Sequence, residues 1–341
     1  MTLRIGNVEL AHPVMSAPIA GFTDRIFRDI VRDFGGCGLI YTEMVSAGGW
    51  IGGSMPPDRL DGVTDEARPL GVQLWDREAA PLEEAARRLV DLGITVIDLN
   101  FGCPKKRIMG KCGAGATLLR DPATVGRLVA ATKRGAGNVP VTAKIRLGPS
   151  IAARTAPAVA RSAAENGAAA VTVHGRTADD SYGVPCDRAM IREVVEAVSV
   201  PVIANGDIHD AASALTTLRE TGAAGVMVAR GALTRPWVFR EIAAALRGEP
   251  VPAAPTHSEQ RALLLRHHAA MVEREGERWG TVVMRKFAVR YLTGIPGARA
   301  FRDQITRAET AAQFRETVDR MFPEAGFSVA PGAVAEDAAC A

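Results

Sequence analysis

Val141-Thr142-Ala143-Lys144-Ile145-Arg146, then Ala156–Asn166, then Gly167 and Ala170-Val171-Thr172-Val173-His174, make one complete turn of a rhythm that runs through the chain. A short β-branched run ends in polar residues. An Ala-rich helical stretch follows, stops at a glycine suited to a left-handed C-cap, and a second apolar run begins. Strand, helix and strand in that order imply parallel pairing through a right-handed crossover. The rhythm extends upstream through Val14–Ala17, Leu39–Thr42, Gly71–Leu74 and Val96–Leu99, and downstream through Val202–Ala204 and Gly225–Val228. Helical patterns at Ala79–Leu92, Ala123–Lys133 and Ala211–Thr221 fill gaps between the runs, with Gly93 and Gly222 as further stops. Eight such units in about 230 residues predict an α/β fold, a (β/α)8 TIM barrel, whose usual size is ~250. The alternative, a doubly wound open sheet, would have fewer units and a GxGxxG turn after its first strand, which is absent here.

The rhythm breaks at Arg247-Gly248-Glu249-Pro250-Val251-Pro252-Ala253-Ala254-Pro255, a proline-rich linker. From Ser258 to Phe322 the pattern is purely helical. The expected organisation is a barrel over 1–246, a linker over 247–257, a small all-helical domain over 258–325 and a flexible tail over 326–341. The chain has 341 residues, 47% hydrophobic and 23% charged, which excludes wholesale disorder. Its 41 Lys and Arg against 38 Asp and Glu do not announce a polyanion partner. The excess is uneven, however: residues 257–320 hold 12 basic against 8 acidic side chains. No apolar run approaches the roughly 20 residues of a membrane helix, and the first residues lack a leader's apolar core, so no membrane partner is expected. Five cysteines without a CxxC pair point away from disulfides and metal sites and toward the cytoplasm.

A (β/α)8 barrel carries its chemistry at the C-terminal ends of its strands. Those positions read Pro18-Ile19-Ala20-Gly21, Glu43, Gln73, Asn100 with Cys103, Lys144 with Arg146, His174 with Arg176, Asn205-Gly206-Asp207, and Ala229-Arg230-Gly231. The turns after the seventh and eighth strands are the fold's usual phosphate cradle, where Gly206 and Gly231 admit close backbone approach and Arg230 adds a charged donor. Lys144 is costly to desolvate without an anionic partner and is suited to neutralising a developing negative charge. A free thiol ordinarily titrates near ~8.5, so Cys103 in Asn100-Phe101-Gly102-Cys103-Pro104 can serve as a proton donor or as a nucleophile. Cys37 and Cys186 read as small buried residues, Cys112 stays open, and Cys340 belongs to the tail.

These residues fall in longer words that resemble the flavin-dependent tRNA-dihydrouridine synthases, most closely the bacterial B-type branch. The words are Ala17–Arg28, Asp98–Pro104, Lys144-Ile145-Arg146, Val173–Thr177, Ile203–Ile208, Arg230-Gly231-Ala232 leading to Arg235-Pro236-Trp237, and Met284-Arg285-Lys286-Phe287 with Tyr291-Leu292. The likeness runs from about Leu10 to Phe322, departing at Ile19, Ala229 and, more strongly, Tyr182–Asp187. It implies a barrel that binds FMN, takes electrons from NADPH (or NADH), and reduces the C5–C6 double bond of specific tRNA uridines, in the D-loop, to 5,6-dihydrouridine. It implies that Pro18, Ile19 and Ala20 line the flavin, Gln73 and Lys144 bind its polar edge, and His174, Asn205, Gly206, Asp207, Ala229 and Arg230 hold its phosphate. Cys103 would donate the proton, with Asn100 beside the uracil. Arg176, Arg285, Lys286 and Arg290 are the expected tRNA contacts, the last three on the helical domain. Lys105-Lys106-Arg107 adds charge beside Cys103. A monomer without metal is expected. Two other readings stay open: a flavin barrel acting on a free pyrimidine, and a non-catalytic RNA-binding barrel.

Overall fold

The computed structural model describes residues 2–55, 60, 62–295 and 297–322. They form two compact units, one of residues up to Ala232 with Val238–Val251, the other of Leu233–Trp237 with the chain from Pro252 on. The tail expected over 326–341, Cys340 included, lies outside the described residues.

The first unit opens with an antiparallel hairpin, β1 (Leu3–Ile5) and β2 (Val8–Leu10). Eight parallel strands follow: β3 (Val14–Ser16), β4 (Ile40–Ser46), β5 (Leu70–Trp75), β6 (Val96–Asn100), β7 (Val141–Arg146), β8 (Ala168–His174), β9 (Val202–Asn205) and β10 (Gly225–Val228). From β4 to β10 each pairs with its sequence neighbour, and β10 pairs with β3. The remaining seam is held by a bridge from Met15 to Leu39, with Ser16 N donating to Leu39 O at 3.0 Å and Gly38 N to Val14 O at 2.7 Å. A doubly wound sheet would reverse its strand order part-way; this order runs round without reversal, giving a nearly closed barrel.

Helices α1 (Arg25–Phe34), α2 (Ala47–Ile51), α3 (Ala79–Asp91), α4 (Pro122–Ala136), α5 (Ala156–Glu165), α6 (Arg188–Ala197), α7 (Ala211–Thr221), the short α8 (Arg230–Thr234) and α9 (Val238–Leu246) lie between or after the strands. Local chemistry starts and stops them. Asp24, Asp121, Asp187 and Asp210 each accept a backbone N–H of the first turn, and Pro122 occupies the first position of α4. Gly222 ends α7 at φ 70°. Outward strand residues such as Val72, Ile97 and Leu99 pack with Leu82, Leu89, Val125 and Leu128 of the helices, all essentially buried. Inward residues Met15, Leu39, Val96, Ala170, Ile203 and Met227 form a second cluster with Leu3, Ile5 and Leu10 of the hairpin. The hairpin thus packs into the N-terminal end of the barrel, leaving the C-terminal end for a site.

The second unit contains α10 (His257–Glu275), α11 (Glu277–Tyr291), α12 (Ala298–Ile305) and α13 (Ala311–Met321). Thr256 and Glu259 form a reciprocal cap at the start of α10. A Cβ at Gly280 would sit 2.5 Å from Met271 O, so glycine lets α11 approach the α10 backbone. His267, His268, Met284, Phe287, Phe314 and Tyr291 are buried in this unit.

Candidate active site

Alternation along the strands builds two inward layers. Gln73, Asp98 and Thr142 occupy one register row across β5, β6 and β7; two residues on, Asn100 pairs with Lys144. Above them opens a cavity of about 370 Å³. Its wall includes every residue expected at the flavin and uracil positions: Pro18, Ile19, Ala20, Gln73, Asn100, Cys103, Lys144, His174, Asn205, Gly206, Asp207, Ala229 and Arg230.

One wall is a hydrogen-bonded chain. Gln73 Nε2 donates to Asp98 Oδ2 at 2.6 Å, and Thr142 Oγ1 donates to Asp98 Oδ1 at 2.6 Å. Asn100 Nδ2 donates to Gln73 Oε1 at 2.8 Å, while Asn100 Oδ1 accepts from Gly102 N at 3.0 Å and Cys103 N at 2.9 Å. The loop then folds back: Ala116 N donates to Cys103 O at 3.1 Å, and a Cβ at Gly115 would meet that oxygen at 2.7 Å. Burial raises the Asp98 carboxyl above its ordinary range, against the opposing effect of its two donors and Lys144. Burial likewise lowers Lys144, with the Asp98 charge pulling the other way. The lysine's hydrogen bond is to an amide, not to an anion: Nζ donates to Asn205 Oδ1 at 3.1 Å, and Asn205 Nδ2 donates to Met227 O at 2.8 Å.

The opposite wall is cationic. Gly206 and Asp207 have φ of 124° and 51°, which turns the chain sharply at the end of β9. Asp207 accepts from Arg176 (2.7 and 2.8 Å), from Arg230 (3.1 Å) and from Cys186 N (2.9 Å). Burial opposes ionisation there, yet these partners hold the carboxyl below its usual range. The Arg230 guanidinium lies 4.3 Å from the Tyr182 ring centre, and the His174 ring stacks on Tyr182 at 6.2 Å. His174 is pushed well below the ordinary histidine value, first by burial and then by Lys144, Arg146, Arg176 and Arg230. It is therefore neutral, and since Arg176 can only donate, His174 Nε2 (3.3 Å) accepts and Nδ1 carries the proton.

Three expectations place differently. Arg176 is 1% exposed and does not line the cavity; it braces the loop after β8 through Asp207, Val184 O and Tyr182 O. Arg285, on α11 of the second unit, spends its Nε on Ala308 O at 2.8 Å, whereas Lys286 is exposed and Arg290 half-buried. Met44 lines the cavity where Glu43 was expected, because the β4–β5 register shifts between Tyr41 and Met44. Cys37 and Cys186 fit the reading as small packed thiols, Cys186 against the core cluster. Burial raises Cys37 to about 12 and Cys186 to about 11, and the Cys186 sulfur abuts the Gly206 turn. Sequence reading assigned nothing to Asp98, Thr142 or Tyr182. Alternation from Asn100 could have found Asp98, which lies two residues earlier on the same inward face.

A family model described as dihydrouridine synthase (Dus) matches residues 15–326. The tRNA-dihydrouridine synthase B of Pseudomonas aeruginosa is 40% identical over 324 residues, covering 94% of this chain and 96% of that protein. That of Xanthomonas axonopodis pv. citri is 39% identical over 309 residues, covering 90% and 92%. A probable tRNA-dihydrouridine synthase of Rhodobacter capsulatus is 39% identical over 326 residues, covering 95% and 99%. Among solved structures, a variant of NCR from Zymomonas mobilis aligns with TM-score 0.54 at 14% identity, over 74% of this chain and 91% of that one. A morphinone reductase mutant aligns with TM-score 0.52 at 14% identity, over 75% and 94%. These last two share the barrel fold. Similarity sustained along nearly the whole length of the sequence relatives settles the kinship: the chain belongs to the dihydrouridine synthase family.

Proposed function

We propose that this chain is a tRNA-dihydrouridine synthase that holds FMN in the barrel cavity and, with NADPH as electron donor, saturates the C5–C6 bond of uridines in the tRNA D-loop. It would act in the cytoplasm as a monomer. The donor set fits FMN. Backbone and small side chains at Pro18, Ile19 and Ala20 offer a flat apolar wall, and Gln73 and Lys144 offer donors for a polar ring edge. Arg230, with the turn at Gly206, offers a phosphate seat. Arg176 already answers the Asp207 charge, so the seat retains one net positive charge from Arg230.

Bound there, the flavin would supply the hydride for uracil C6. The rest falls to the chain. Cys103 gives a proton to C5, and its loop is aimed by the two N–H bonds to Asn100. Lys144 carries its proton in a desolvated place, where a positive charge acts most strongly on nearby negative charge. Neutral His174 offers Nδ1–H as a donor without adding charge. The target uridine must be extruded from its stack to reach the cavity, and exposed Tyr182 stands at that mouth.

The observation that carries this reading is the convergence of Cys103, half-buried Lys144 and the Asp207–Arg230 turn on one cavity. Cys103→Ala is expected to keep FMN binding and NADPH oxidation and to lose dihydrouridine formation in unmodified tRNA, scored by mass spectrometry. A Cys103→Ala enzyme that still makes dihydrouridine would reject the acid role.

A further inference from the structure

Asp98 is fully buried, touches no solvent and lies beneath the groups assigned to the reaction. It sits at one end of the chain Asp98–Gln73–Asn100–Cys103. An amide side chain is nearly symmetric in shape, so packing alone does not decide which end is oxygen and which is nitrogen. A carboxylate decides it, because an ionised carboxylate only accepts. Gln73 must therefore present Nε2 to Asp98, which leaves Oε1 facing Asn100. Asn100 is oriented from its other end, where the N–H groups of Gly102 and Cys103 can only donate and so take Oδ1, which leaves Nδ2 for Gln73 Oε1; the carboxylate gives Gln73 the matching orientation. Turn either amide round and two donors confront each other somewhere along the chain. Thr142 Oγ1 holds the carboxylate's second oxygen, so Asp98 cannot swing away freely.

We propose that Asp98 is a positioning residue that sets the polarity of the Gln73 amide to match Asn100 and so steadies the Asn100 side chain that holds the backbone carrying Cys103. It touches no reacting atom itself. Its consequence for the reaction rests on the function proposed above; its effect on the loop does not. The effect reaches the thiol through the two N–H bonds at Gly102 and Cys103, so those amides report it directly. Asp98→Asn keeps the shape but adds a donor, which lets Gln73 turn and set its Nε2 against Asn100 Nδ2, costing the Gln73–Asn100 bond. Asp98→Ala removes the acceptor.

The test uses full-length protein without added cofactor or tRNA. Amide hydrogen exchange is followed over 101–104, together with the alkylation rate of Cys103 by iodoacetamide, read by peptide mass spectrometry. Losing a buried hydrogen bond in this chain should speed exchange at Gly102 and Cys103 by about tenfold. Exchange in β8 to β10 should stay at the parental rate, and alkylation of Cys103 should change in step with the loop. With FMN, NADPH and tRNA, the same variants should lose about tenfold or more in kcat for dihydrouridine formation while KM for tRNA holds. Unchanged exchange and alkylation in both variants overturns the proposal, as does exchange that rises equally in every strand, which marks general destabilisation. Should Asp98→Ala fail to fold, Asp98→Asn decides alone. A parent protein that makes no dihydrouridine defeats the functional reading and leaves the exchange result to judge the relay.

Discussion

A Cβ at position 206 would stand 2.8 Å from Cys186 Sγ and 3.1 Å from His174 Cδ2, at a φ of 124° that side chains rarely adopt. Gly206→Ala is therefore expected to lower the melting temperature by several degrees, for a strain of about 1–3 kcal/mol. The same change should weaken FMN binding by about tenfold, because the phosphate turn would have to move. Differential scanning calorimetry and fluorescence titration of the flavin check the two effects. Most cavity residues were legible at this scale, since strand ends and alternation specify which side chains face inward. Arg176 was not. Just past β8 the chain turns so tightly that Arg176 N donates to His174 O at 2.7 Å, swinging the guanidinium away from the cavity and behind Asp207.

At the scale of elements, the strand runs and the helices between them followed directly from periodicity, to within a few residues at each end. The N-terminal hairpin did not, because strands of three residues are too short to show a period. Nor did the register shift in β4, which depends on how Tyr41 and Met44 meet the neighbouring strand. Helix α10 carries a consequence that composition hides. His267 and His268 are both buried, His267 against Phe287 and Tyr291, His268 stacked on Phe314 at 4.0 Å. Burial, reinforced by Arg274, Arg266 and Lys286, lowers His267 to about 3. Its folded value lies below the unfolded one, so its stability contribution is complete above the ordinary histidine value near ~6.5 and is lost as pH falls toward about 3. Each pH unit in that window should cost up to ~1.4 kcal/mol from this one residue. Thermal melts between neutral and mildly acidic pH should show it, and His267→Phe should flatten the slope; an unchanged slope would reject the assignment.

At the scale of the molecule, the basic excess of the helical segment and the phosphate-bearing substrate proposed here make one measurement decisive. Affinity for tRNA should fall steeply with salt, and the pair Lys286→Ala and Arg290→Ala should reduce the log–log slope by about 1.5, with NADPH-driven flavin reduction untouched. Filter binding across a salt series checks it, and a slope equal to the parent's removes these two cations from the interface. Arg285 is left out of the pair because its Nε already serves Ala308 O. What the amino-acid sequence determined by itself was the barrel, the helical segment after the prolines, and the set of polar residues at strand ends. Each follows from periodicity and alternation, which are local. What only the tertiary structure decided was the partnership among those residues: Lys144 on Asn205, Arg176 behind Asp207, and Asp98 beneath Gln73. Hydrogen-bond direction between side chains 25 to 61 positions apart depends on strand register and on the exclusion of water, and neither is written in any single stretch of the chain.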